Sequence, residues 1–77
     1  MREMIDKLSD EYLQSTFVSP NRLKCNVEMS NRLKASPDLW FIFWPDLDTR
    51  AINFFVNGLM LDVDNEIAHG TIVVDRV

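Results

Sequence analysis

Asn57–Gly58, set between the apolar runs 52–56 and 59–63, limits what this chain can fold into more than any other feature. Asn and Gly tolerate the positive φ that both central residues of a type I′ turn require, and the twist of that turn matches a β-hairpin. The dipeptide predicts two antiparallel strands with Val56 opposite Leu59, Phe55 opposite Met60, Phe54 opposite Leu61, Asn53 opposite Asp62 and Ile52 opposite Val63. In that register Ile52, Phe54, Val56, Leu59, Leu61 and Val63 form an apolar face, and Asn53, Phe55, Met60 and Asp62 a mixed one. A slip of one residue would scramble both faces. The competing reading is a helix over 47–57 with Gly58 as its cap, but its apolar positions make no clean stripe.

The remaining elements follow from hydrophobic period. Met1, Met4, Ile5, Leu8 and Tyr12 recur at helical spacing and predict an amphipathic helix over residues 2–15. Leu13 and Phe17 fall off the stripe, and Ser19–Pro20 ends it. Residues 22–29 alternate apolar and polar, the period of a half-buried strand. The end of that run admits two readings over 27–35. In the favoured one Asn26 caps a short helix through Lys34; in the other Ser30–Asn31–Arg32 is a hairpin loop. The tetrapeptide NRLK occurs at Asn21–Lys24 and again at Asn31–Lys34. Two copies ten residues apart are too short and too few for a stacking repeat, so they are assigned to different elements. Ser36–Pro37–Asp38 is a turn, Trp40–Trp44 a strand ended by Pro45, and Thr71–Asp75 a final strand. The sum is a single α+β domain over 1–77: two layers, with the N-terminal helix packed on a mostly antiparallel sheet of four or five short strands.

Aromatic residues concentrate in one stretch. Six of the eight lie between Trp40 and Phe55. In a strand, Trp40, Ile42 and Trp44 point to one face, and Phe41 and Phe43 to the other. A domain of this size buries only about 60% of its unfolded surface, and one helix covers one sheet face. An aromatic face carried by Trp40, Phe41, Phe43, Trp44, Phe55 and Met60 is therefore expected to meet another protein or a copy of itself. The alternative is that the second helix or a loop closes that face.

Charge divides the chain unevenly. Residues 1–37 carry six basic and five acidic side chains, whereas residues 38–77 carry two basic and seven acidic. The acidic half repels nucleic acid and anionic lipid, so neither is an expected partner. Arg22, Lys24, Arg32 and Lys34 read as solvated strand and helix positions. The acids Asp46, Asp48, Asp62, Asp64 and Glu66 support a second hypothesis: an acidic inhibitor that imitates nucleic acid on a basic protein surface. The longest apolar run, Leu39 to Trp44, is too short to cross a bilayer. Asp6, Asp10 and Glu11 stand where a signal peptide needs apolar residues. The lone Cys25, set in an apolar alternation, reads as a core thiol in a reducing compartment, so a cytoplasmic location is expected.

Reactive chemistry finds little support. Asp62, Asp64, Glu66 and His69 are the nearest approach to a ligand set, yet the sixth and twelfth positions from Asp62 are Ile67 and Val73, where a calcium-binding loop needs Gly and Glu. His69 is the only imidazole, no Ser or Cys has a nucleophile context, and Gly58 and Gly70 make no phosphate-binding loop. Asp46 and Asp48 beside Trp44 suggest paired carboxylates for glycoside chemistry, but the domain is too small to build a cleft around them. A small metal-dependent enzyme around His69 is accordingly the third hypothesis, with no cofactor expected, and a non-enzymatic module the first.

The stretch Asn57–Asp64 followed by His69–Val74, together with Ser19–Asn26, resembles strand segments of small tailed-phage proteins and of one subdomain of phage capsid proteins. The resemblance implies a phage or mobile-element accessory protein that binds and blocks a host protein or attaches to a virion. It brings no site residue with it.

Overall fold

A computed structural model describes residues 1–50 and 52–77. Helix α1 spans Arg2–Thr16. Its inward stripe is narrower than the sequence suggests: Ile5 is buried, Met1 and Leu8 pack against the core, and Met4 lies exposed on the flank. The helix stops where the stripe stops. Phe17 adopts a left-handed φ of 61° and its N–H donates to the Leu13 carbonyl. The first turn is capped from a distant loop, since Asp38 Oδ2 accepts from the Arg2 N–H at 3.0 Å and lies 3.4 Å from the terminal ammonium. These donors and the Ser36 hydroxyl, the strongest of them, hold the Asp38 carboxyl down to about 2.

Strand β1 is Arg22–Cys25 and helix α2 is Val27–Ala35. Asn26 separates them, and its Oδ1 accepts from the Met29 N–H at 3.0 Å, as an N-cap should. The helix reading of 27–35 is the one the chain adopts. Val27 and Met29 continue the strand alternation in sequence, but the cap converts them to helical positions, leaving Val27 exposed and Met29 buried.

Three further strands complete the hairpins: β2 (Phe41–Pro45), β3 (Ile52–Val56) and β4 (Leu59–Val63). The final strand β5 is shorter than expected, Val73–Asp75. Asn57 and Gly58 have φ of 47° and 85°, the double positive value of the predicted turn. Val56 pairs with Leu59 and Phe55 with Met60. The predicted ladder does not extend beyond those pairs, because β3 follows β2 along its whole length while β4 pairs in parallel with β1. A two-stranded ribbon twists strongly, and the hairpin opens away from its turn. Ile52 and Val63, expected on a buried face, are exposed in consequence.

The five strands form one sheet in the order β2-β3-β4-β1-β5, antiparallel except for the β1–β4 pair. Leu23 and Cys25 on β1, Val56 on β3 and Leu59 on β4 share a core with Ile5 of α1 and with Met29 and Leu33 of α2. Both helices therefore lie on one side of the sheet, so the fold is a two-layer α+β domain. Among the described residues no helix is long and apolar enough to cross a membrane.

Candidate interaction surface

The strand register aligns one residue from every strand into a row across the helix-free face. Ile42 stands opposite Phe55, Phe55 opposite Met60, Met60 beside Arg22, and Arg22 opposite Asp75. Central strands normally bury both faces when both are covered. Here Leu23 and Cys25 are fully buried, while Arg22 and Lys24, which alternate with them, remain partly accessible. Among the described residues no second layer of helix or strand lies over this side.

The row divides into an apolar half and an ionic half. On the apolar side Trp44 joins Ile42, Phe55 and Met60, since it opposes Asn53 in the same ladder, and Trp40 continues the strand alternation just before β2. Trp40 is 52% exposed, Ile42 45% and Trp44 65%. Large aromatics and Met gathered in this way match the composition of interface cores.

The ionic half is internally satisfied. Arg22 Nε and Nη2 donate to the two Asp75 carboxylate oxygens at 2.7 Å each, a bidentate geometry. Asp62 lies 3.8 Å from Arg22, and Lys24 3.6 Å from Asp75. The Arg22 hydrogen bonds, opposed by burial and aided by the Arg22 and Lys24 charges, hold the Asp75 carboxyl below its ordinary value. Arg22 and Lys24 are therefore neutralised within the sheet and form no free basic patch.

Of the six aromatic and Met positions expected to bind together, the sheet separates two. Trp40, Trp44, Phe55 and Met60 share the helix-free face, whereas Phe41 and Phe43 lie on the helix side. Phe41 packs against the core. Phe43 meets Phe54 edge to face, with ring centroids 5.0 Å apart, and stays 61% exposed. Ile42 completes the apolar row. Its alternation with Trp40 and Trp44 is visible in sequence, whereas Arg22 and Asp75 join the row only through the β4-β1-β5 order, which no local signal announces.

The acidic side chains occupy one end of the sheet, opposite the Asn57–Gly58 turn. Asp46 and Asp48 follow β2, and Asp64 and Glu66 follow β4. Asp46 Oδ1 accepts from the Asp48 N–H and Asp64 Oδ1 from the Glu66 N–H, each at 3.0 Å, so both also hold turns. Asp62 faces Arg22 instead. His69 is exposed, with Nδ1 2.8 Å from Glu28 Oε2. Among the described residues no three His, Cys, Asp or Glu side chains come together as a metal-holding group. Cys25 is buried in the core, and that burial pushes its thiol up, away from the reactive thiolate.

Comparison with protein families, with curated proteins and with solved structures returned no match.

Proposed function

We propose that this chain is a non-enzymatic protein-binding module that associates with a second copy of itself through the aromatic half of its helix-free sheet face. The observation that carries the reading is the row Ile42–Phe55–Met60, flanked by Trp40 and Trp44, on the face opposite both helices, where Trp40, Ile42 and Trp44 are exposed. Burying such a surface is favourable by about 25 cal/mol per Å² before the cost of association. The resemblance to phage strand segments is compatible with an accessory role, in which a self-associating module attaches to a larger assembly.

Trp40 and Trp44 are the only tryptophans, so intrinsic fluorescence reads this surface directly. Their emission should shift to the blue as the protein is concentrated through the micromolar range, and the shift should persist at about 1 M salt, where the Debye length is only about 3 Å. An emission maximum that stays at the wavelength of solvent-exposed indole at every concentration contradicts the reading.

A second reading rests on the gathering of Asp46, Asp48, Asp64 and Glu66 at one end of the sheet. It is an acidic inhibitor that occupies a basic protein surface. Binding of that kind weakens steeply with salt, which separates it from aromatic burial.

A further inference from the structure

The free edge of the sheet specifies how two copies meet. Strand β2 is an edge strand. The Asn57 N–H donates to the Trp40 carbonyl at 3.1 Å, and the Asn57 side chain accepts from the Trp40 N–H. In an antiparallel ladder, hydrogen-bonded and non-hydrogen-bonded pairs alternate. Ile42 and Trp44 therefore direct their main-chain groups towards β3, and Phe41, Phe43 and Pro45 direct theirs outward. Pro45 fits this phase, because the position that lacks an N–H is one that needs none for the ladder. Of the devices that usually blunt an edge, β2 carries only Pro45 at its far end, and Phe41–Trp44 has no charge and pairs with β3 in continuous register.

Resting on the self-association proposed above, we infer that two copies pair antiparallel along β2, with Ile42 of each on the two-fold axis, to make one continuous sheet. This register sets the outward N–H groups of Phe41 and Phe43 on the Phe43 and Phe41 carbonyls of the second copy, and leaves Pro45 beyond the paired segment. A register centred on Phe43 would instead oppose Phe41 to Pro45 and strand the Phe41 carbonyl. Side chains match in the same register. Trp40 meets Trp44 of the second copy and Ile42 meets Ile42 on the helix-free face, while Phe41 meets Phe43 on the other. The exposed Phe43, left unexplained by a purely facial contact, acquires a partner. Trp40, Ile42, Phe43 and Trp44 offer roughly 400–500 Å² of apolar surface per copy. That is below the about 800 Å² per partner of a standard interface, so a dimer of micromolar strength is expected.

Sedimentation of three proteins tests the register. Ile42→Lys places like charges across the axis and should weaken the dimer at least tenfold. Met60→Lys alters the same face two strands in from the edge and should weaken the dimer by a clearly smaller factor than Ile42→Lys. Circular dichroism establishes that each variant is folded. Ile42→Cys gives an independent arm that does not depend on Ile42→Lys folding: opposed non-hydrogen-bonded positions bring their Cβ atoms close, so it should oxidise to a covalent dimer, and the buried Cys25 offers no competing link. If Met60→Lys disrupts the dimer as fully as Ile42→Lys, or if Ile42→Cys stays monomeric under oxidation while the wild type dimerises, edge pairing is overturned and self-association stands. A wild type that is monomeric at every concentration overturns both.

Discussion

Phe43 and Phe54 face each other across the β2–β3 ladder with ring planes at 83°, yet only one of them is covered. Lys34 of α2 sits over the Phe54 ring, its Nζ 4.3 Å from the centroid, whereas Phe43 keeps most of its surface in solvent. The helical layer thus reaches Phe41 at the start of β2 but leaves Phe43 uncovered further along the edge. Lys34→Ala should cost about 0.5–1 kcal/mol through loss of the cation–π contact. A double-mutant cycle with Phe54→Leu in urea denaturation should return coupling of that size, and additive single effects would show that the contact contributes nothing.

Acid should loosen the opposite side of the sheet. Asp75 has a folded-state value below its unfolded one, near 3.9 for an ordinary Asp. Its contribution is therefore present above that unfolded value and is lost as pH falls through the lower folded value. Asp38, held to about 2, acts in the same direction. Stability followed by melting temperature should decline below about pH 4. Asp75→Asn should be less stable than wild type at pH 7 and should show a shallower acid decline, whereas parallel curves would show that the Arg22 pair has no linkage to folding.

Asn26→Ala removes the acceptor for the Met29 N–H and a longer bond from Nδ2 to the Ile67 carbonyl. Loss of such a cap costs about 1–2 kcal/mol. Urea unfolding should show that loss with an unchanged m-value, because the surface exposed on unfolding is the same.

Ser30 is buried on α2 and its hydroxyl has no hydrogen-bond partner among the described residues. Removing a buried unsatisfied group relieves its desolvation cost, and Ala has the higher helix propensity. Ser30→Ala should be neutral or stabilising by up to about 1 kcal/mol, a rare sign for a core substitution. A clear loss of stability in the same denaturation measurement would mean that the hydroxyl is bonded in solution.

The parts of this fold that were legible in the sequence are those decided within a few residues. Asn57–Gly58 defined its turn and the first two pairs of its register, because both φ values must be positive there. Asn26 defined the switch from strand to helix through one side-chain acceptor. What escaped depends on distant pairing. NRLK is strand from Arg22 in its first copy and helix throughout in its second, with Leu23 and Leu33 equally buried, so local preference alone does not decide its conformation. The departure of β4 from β3 towards β1 is likewise a tertiary choice. It left Ile52 and Val63 exposed and brought Arg22 and Asp75 into the same row as Ile42, Phe55 and Met60. The aromatic run divides by strand alternation, with Trp40, Trp44, Phe55 and Met60 on one face and Phe41 and Phe43 on the other.

The proposed pairing brings two copies together through the aromatic sheet face and its β2 edge. Sedimentation equilibrium from about 1 µM to 1 mM, the span over which binding free energies run from about −8 to −4 kcal/mol, reads this most directly. The apparent mass should rise from 9.0 kDa towards twice that value, with a micromolar midpoint that survives high salt. A mass that stays at that of the single chain across the whole range would contradict it.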